Sequence, residues 1–385
     1  VRIAFLNHED PHDRRAWSGT FFFMLQALER YAGDVVPLGP EGELAYGISG
    51  AIRRALRLFG MRIDSTHTVA ISRRLGRAFS AKLRDTHFDA IFAPAASTEL
   101  AFLETNLPVV TYDDLTIRLF RGYAAHLQDL FPWSVRQMEL LGSRALTRAD
   151  IAVFSSEWAA ASAREHYGVP ADKIRVVPMG ANVEPPPEEE LLRTRRQRPA
   201  GSCRLLFIAS DWQRKGGDIA LGTLAELRRR GIDAGLTIVG CSPPPGTSDT
   251  AVRVIPFLDK NDAVENRLLM QLFLNSDFLL MPSRREAYGV APCEANAFAL
   301  PPIVSGVGGI PVVHNQNGIV ISPNAPPSAW AEVIQRLLAD PAGYFALATA
   351  GRRAWEQRLN WDAWGKAMNE VLQQAISQRT SRASA

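Results

Sequence analysis

Glu286 and Glu294 stand eight residues apart in the stretch SDFLLMPSRREAYGVAPCEANAFALPPIVSGVGGIP, residues 276–311. One lies in a polar turn closed by Gly289, the other on the Ala-rich run that follows. The two carboxylates therefore bracket a place where a phosphate would sit. Upstream, Arg214 and Lys215 precede the pair Gly216-Gly217. A forked donor, a point charge and glycines that permit close backbone approach are what a diphosphate requires, although a basic solvated turn has the same composition. Tyr112-Asp113-Asp114 places two adjacent acids at the end of an apolar run, suited to a base, a hydroxyl ligand or a metal pair. Successive strand side chains point to opposite faces, so both acids need not enter one site. No histidine or further carboxylate cluster supports a metal there, and no metal site is expected. Trp17-Ser18-Gly19-Thr20 offers a glycine for close approach to a ligand and Thr20 as a cap for a helix over 21–27, or simply an ordinary N-cap turn.

The elements that must position these residues are legible as apolar runs. They fall at 1–6, 35–38, 88–93, 108–112, 151–154 and 174–178, then at 204–209, 236–239, 252–257, 278–281, 303–304 and 319–321. Helical patterns separate most of them, the signature of parallel sheets. Between the two sets stands Pro185-Pro186-Pro187, which neither a helix nor a strand interior tolerates. The expected architecture is α/β: two Rossmann-like doubly wound parallel-sheet domains. An N-terminal domain spans 1–184, a linker 185–202 and a C-terminal domain 203–355. Over 354–377, Trp355, Leu359, Trp361, Trp364, Met368, Val371 and Leu372 recur at near-helical spacing, which reads as a kinked amphipathic helix pair that packs against another element or only caps the second domain. A C-terminal helix over 356–385 is expected to pack back on the first domain.

Composition sets the outer limits. Over 385 residues, 46% are hydrophobic and 22% charged, as in a soluble globular protein, and the net charge of +3 does not imply nucleic acid. Cys203, Cys241 and Cys293 are scattered, and the start VRIAFLNHED reads as a strand rather than a signal peptide; both suit a cytoplasmic protein. His8, His12, His67, His87, His126, His166 and His314 show no ligand spacing and read as surface or core residues. Ser155-Ser156-Glu157-Trp158 reads as a helix cap. Residues 51–84 carry nine basic side chains against Asp64 alone, interleaved with Leu56, Leu58, Phe59 and Met61. Such a face suits an anionic membrane surface or a phosphorylated acceptor, or is a solvated helical face.

Taken together, these residues resemble a known family. Glu286-x7-Glu294 with Tyr288-Gly289 between resembles the E-x7-E signature of the retaining GT-B glycosyltransferases, family GT4 in particular. Arg214-Lys215-Gly216, Gly308-Gly309-Ile310-Pro311, Asn317-Gly318, Trp17-Ser18-Gly19-Thr20 and Gly180-Ala181-Asn182 resemble further parts of its pattern. The resemblance implies a GT-B fold with an active site in the interdomain cleft and the final helix crossing back to the first domain. It implies a retaining, metal-independent hexosyltransferase of cell envelope polysaccharide biosynthesis that moves a sugar from a nucleotide-diphosphate sugar, its co-substrate, to an acceptor hydroxyl. No cofactor is expected. Glu286 would meet donor sugar hydroxyls and Glu294 the ribose. Arg214 and Lys215 would neutralise the diphosphate with backbone groups at Ala287, Tyr288, Gly289 and Val290, and with Gly19 from the first domain. Base recognition would fall to loops 242–250 and 256–259. The expected partners are this donor and a glycan or lipid-linked acceptor, with peripheral attachment to the inner face of an anionic membrane through 51–84.

Two departures from the family pattern affect the assignments. Relatives carry an arginine five or six residues before the lysine, where this chain has Ala209 and Ser210, so Arg214 takes the whole arginine role. Relatives also carry a histidine near the reacting sugar. No histidine stands in a matching place, and Asp114 is the catalytic candidate instead, with Asp113 and Trp17 beside it on the acceptor side. A sugar-nucleotide epimerase on the same architecture and a non-catalytic carbohydrate-binding subunit are the alternatives. An oxidoreductase is disfavoured because no G-x-G-x-x-G follows the first strand.

Overall fold

The computed structural model describes residues 1–124, 127–196, 201–247 and 249–383. His126, residues 197–200 of the expected linker, residue 248 of the 242–250 loop and the last two residues of 356–385 lie outside the described residues. All twelve apolar runs form strands, in two six-stranded parallel sheets. The chain divides into two compact units, Val1–Pro178 with Trp361–Ala385, and Met179–Asn360.

In the first unit the order is β1 (Arg2–Phe5), α1 (Thr20–Tyr31), β2 (Asp34–Pro37), α2 (Glu43–Leu58), α3 (Val69–Asp85), β3 (Ala90–Pro94) and α4 (Ser97–Leu100). It continues with β4 (Val109–Asp113), α5 (Ile117–Tyr123), α6 (Pro132–Arg148), β5 (Ile151–Phe154), α7 (Glu157–Tyr167) and β6 (Ile174–Val176). The strands lie in the order β2-β1-β3-β4-β5-β6. Both faces of this sheet are covered, so β3 and β5 are buried along their whole length and read as continuous apolar runs rather than alternating ones. Ile71, Leu75, Phe79 and Leu83 of α3 pack under the sheet beside Ile91.

The second unit runs α8 (Glu188–Arg196), β7 (Ser202–Ile208), α9 (Gly217–Arg229), β8 (Asp233–Val239), β9 (Val252–Ile255), α10 (Ala263–Asn275) and β10 (Phe278–Met281). It closes with α11 (Val290–Ala297), β11 (Pro302–Ser305), β12 (Ile319–Ile321), α12 (Pro327–Ala339) and α13 (Pro341–Arg358). Its strand order is β12-β11-β10-β7-β8-β9. The chain then enters α14 (Trp361–Ala383), which belongs to the first unit. There Trp364 meets Phe92 and Tyr112 edge-on, with ring centroids 5.8 and 5.5 Å away, and Asp362 accepts from Arg30 at 2.6 Å. Asn360 ends α13 by donating its side-chain amide to the carbonyls of Trp355 and Glu356, at 2.7 and 2.8 Å. The break between the two C-terminal helices thus falls at residues 359–360.

The reading of 185–202 as a linker is corrected. Immediately after the three prolines comes α8, with Glu188, Glu189 and Glu190 in its first turn and Arg193, Arg195 and Arg196 in its last. That charge order complements the helix dipole. Leu191 and Arg195 are buried. The Arg195 guanidinium donates to three backbone carbonyls, of Ser276, Phe273 (2.8 Å) and Phe298 (3.0 Å). These carbonyls lie at the C-terminal ends of α10 and α11, so the helix ties them together as an integral part of the second unit. A buried guanidinium is tolerable only because its donors are used.

Candidate functional site

In the second unit, β7 pairs with β8 on one side and β10 on the other, both parallel. From β7 the strands are added outward through β8 and β9, and from β10 in the opposite direction through β11 and β12. The strand order therefore switches between β7 and β10, and ligands in open α/β sheets bind outside the carboxyl ends of strands at such a point. The loop after β7 carries Arg214 and Lys215, and the loop after β10 carries Glu286. The structure brings these three residues together. Lys215 Nζ donates to Glu286 Oε2, and Arg214 Nη1 stands 3.9 Å from Glu286 Oε1. Glu286 is 5% exposed, and it also accepts from Ser283 Oγ at 3.3 Å.

Two glycines make this approach possible. Gly216 has φ +73°, and a Cβ there would lie 2.1 Å from the Pro282 carbonyl. Gly308, after β11, has φ +64°, and a Cβ would lie 1.9 Å from the carbonyl oxygen of Glu286. No L side chain fits either position. The loops are also tied directly: Arg284 N–H donates to the Arg214 carbonyl at 2.8 Å, and the Arg284 guanidinium grips Asp218 through both carboxylate oxygens. Gly309 N–H donates to the Ala287 carbonyl at 2.8 Å.

The Tyr288 ring is buried, with its hydroxyl donating to the Met179 carbonyl at 3.1 Å, so its side chain supports the fold and only its backbone is available to a ligand. Gly289 caps α11 in the left-handed conformation and offers no side-chain bond to the N–H groups of the first turn, which begins at Val290. One turn further on, Glu294 is 4% exposed and accepts from Lys260 Nζ at 2.9 Å. Sequence reasoning missed Lys260, which follows β9 and is brought to α11 by the sheet alone. Cys293, also on α11, is buried with its thiol pushed up to about 12 by burial, which keeps it protonated and unreactive.

The candidates of the first unit gather at the carboxyl edge of its own sheet. Trp17 and Ser18 have φ 45° and 59°, and Gly19, at φ 93°, caps α1 with no side-chain bond. Thr20 is therefore the first residue of the helix rather than its cap. Ser156 caps α7, accepting from Ala159 N–H at 3.3 Å. Asp113 closes β4, and its carbonyl accepts from Ser155 N–H at 3.0 Å. Burial, helped by the charges of Asp114 and Glu99, pushes the Asp113 carboxyl up to about 8. His8, set aside in the sequence, follows β1 and donates Nδ1–H to the buried Glu99 carboxylate at the start of α4, 91 residues away. Burial opposes protonation of His8, but the Glu99 carboxylate outweighs it and raises the imidazole above its usual value. Among the described residues no group of three or more His, Cys, Asp or Glu is placed to hold a metal ion.

Asp113 supplies a test with a definite sign. Its proton is held more tightly in the folded chain, near 8, than at the ordinary 3.8. The stability it contributes is complete below about pH 4 and is lost as pH rises through about 8. Asp113→Asn is expected to flatten the fall in melting temperature between about pH 5 and 8 relative to the unmodified chain. Parallel melting curves for the two across that range would contradict the placement of Asp113.

Parallel, doubly wound sheets in two units, with convergent loops at the switch point, define the GT-B fold, and solved structures agree. The chain superposes on sucrose-phosphate synthase from Thermosynechococcus elongatus with a TM-score of 0.70 at 19% identity, covering 98% of this chain and 99% of that one. It also superposes on HepE from Anabaena, solved in complex with UDP and glucose, with a TM-score of 0.64 at 14% identity over 97% and 99% of the two chains. The family model for "Glycosyl transferases group 1" matches residues 202–340 and that for "Glycosyltransferase Family 4" residues 24–185. The chain belongs to glycosyltransferase family 4. Among relatives, D-inositol 3-phosphate glycosyltransferase of Xylanimonas cellulosilytica is 32% identical over 60% of this chain. That of Kineococcus radiotolerans is 29% identical over 56% of it. The chain spans 60% and 55% of the length of these two relatives.

Proposed function

We propose that this chain transfers a sugar from a nucleotide-diphosphate sugar to an acceptor hydroxyl, with retention of configuration. The observation that carries the reading is the buried Glu286 carboxylate with Lys215 and Arg214 against it at the carboxyl ends of β7 and β10. Lys215 and Arg214 bring two cations to a place that also holds Glu286 and Asp211, so an arriving diphosphate would compete with these carboxylates for both cations, and the first turn of α11 adds its N–H groups. A nucleotide diphosphate is a stable leaving anion, so the main task is to stabilise charge that develops as it departs. In this reading Arg214 and Lys215 do so, with backbone groups at Ala287, Tyr288, Gly289 and Val290. Glu286 accepts from the sugar hydroxyls and Glu294 from the ribose.

Gly19 keeps the phosphate-facing role that the family resemblance implies. Trp17, Asp113 and Asp114 serve the acceptor, a glycan or a lipid-linked sugar, as would suit cell envelope synthesis at the inner face of a membrane. The Glu99–His8 pair is added to them as a positioning element.

Incubation with UDP-, GDP- and ADP-sugars, with and without acceptors that include an inositol phosphate, tests the reading. The expected result is release of nucleotide diphosphate from one donor only when acceptor is present. Conversion of the donor to its epimer without release, or no nucleotide binding at all, would overturn it.

A further inference from the structure

We propose that α2, the turn that follows it and the start of α6 form a docking surface for an anionic lipid bilayer. The helix is built inside out. Leu44, Ile48 and Ile52 recur every four residues and so share one face, yet they are 66%, 52% and 51% exposed. The turn that ends the helix holds out Leu58 and Phe59 at 86% and 78%. The opposite side carries Tyr46, whose ring lies 4.8 Å from that of His8 and packs at the margin of the core. A helix at a protein surface ordinarily buries its apolar face. Here it is the apolar face that is left to solvent.

A second segment, distant in sequence, extends the same patch. Phe131 N–H donates to the Arg62 carbonyl at 2.8 Å, and Asp64 N–H donates to Ser134 Oγ at 2.9 Å. These bonds set Phe131 and Trp133, both about half exposed, beside the α2 turn. The charge around the patch is mainly positive: residues 43–64 contain Arg53, Arg54, Arg57 and Arg62 against Glu43 and Asp64, and Arg62 lies 3.5 Å from the exposed Asp129. An exposed apolar stripe with aromatic residues at its end and arginines on the other side of the helix matches the acyl boundary and anionic headgroups of a bilayer. A second copy of the chain fits poorly, because a twofold contact through this face would oppose two surfaces in which arginines outnumber acids.

The surface is narrower than residues 51–84. The apolar residues of α3 that fall in that span, Ile71, Leu75, Phe79 and Leu83, are buried in the core. Bilayer binding needs no donor or acceptor, so it stands or fails apart from the sugar-transfer reading. Among the described residues no helix is long and apolar enough to cross a membrane, so the attachment is peripheral.

Sedimentation of the full chain with vesicles tests this. It is expected to pellet with phosphatidylcholine vesicles containing phosphatidylglycerol and to remain in solution with phosphatidylcholine alone. Ile48→Ser with Phe59→Ser, and separately Arg53→Glu with Arg54→Glu, should each lower the bound fraction at least about tenfold at unchanged melting temperature. Arg74→Glu with Arg77→Glu reverses as much charge on α3, outside the patch, and should cost no more than about twofold. Equal partition of the patch variants and the unmodified chain would overturn the proposal. So would failure to bind either vesicle, or a dimer of the unmodified chain that the Ile48 and Phe59 changes dissolve.

Discussion

Lys215→Ala is expected to lower kcat/KM for sugar transfer by roughly two to three decades, the range seen when one preorganised charge-stabilising donor is removed. The ammonium has two tasks in the structure. It holds the Glu286 carboxylate, which is 5% exposed, and it supplies one of the two cations at the place proposed for the diphosphate. Removing it leaves a buried carboxylate with Arg214 at 3.9 Å as its nearest remaining cation, so stability should fall along with activity. The two tasks separate in the double variant Lys215→Ala, Glu286→Gln. Neutralising Glu286 removes the buried charge and should restore much of the lost melting temperature, while activity stays low because the cation and the Glu286 carboxylate are both missing. Recovery of turnover in the double variant would mean that the two charges only neutralise each other and that neither takes part in transfer.

Gly308→Ala is the second change with a large expected effect. The added Cβ would stand 1.9 Å from the carbonyl oxygen of Glu286, a contact that only backbone movement relieves, and the residue would also hold φ near +64°. The conformational cost alone is about 1–2 kcal/mol for a side chain in the left-handed region. Gly231→Ala isolates that part: its φ is +78° and nothing lies within 4 Å of the new atom. Gly308→Ala should therefore lower stability by clearly more than Gly231→Ala. It should also reduce activity by at least about tenfold, because the atom displaced belongs to the backbone that aims Glu286. Equal thermal denaturation of the two variants would show that the loop yields freely and that this close approach does not hold the site.

Much of this arrangement is legible in the residues themselves. Strands such as β5 and β10 are covered on both faces and so appear as unbroken apolar runs, which is why every strand could be placed before the sheet order was known. Glu286, the Arg-Lys pair and the glycines are readable because each lies in a loop just after a strand, where a ligand needs a special residue type, and Glu294 by its spacing from Glu286. Other features depend on pairings that only the sheets create. Nothing local marks His8 as the partner of Glu99, which the adjacent strands β1 and β3 bring together, or Lys260 as the partner of Glu294, which meet from segments that follow β9 and β10 on opposite sides of β7 and β8. The helix α8 did carry a local signal, acids first and arginines last, but the three prolines ahead of it drew the segment toward a linker. In residues 51–84 the excess of basic charge was plain. Which apolar side chains were left outside was not, because α2 and α3 have similar composition and only α3 is packed into the core.

The central claim is that Arg214, Lys215 and Glu286 form the seat of a nucleoside diphosphate. Calorimetric titration of UDP, GDP and ADP into the unmodified chain and into Lys215→Ala tests it most directly. The account predicts one-to-one binding of at least one of the three to the unmodified chain, and a dissociation constant raised at least about tenfold in the variant, the equivalent of about 1.4 kcal/mol. Absence of binding by all three, or equal affinity of the two proteins for the nucleotide that does bind, would contradict it.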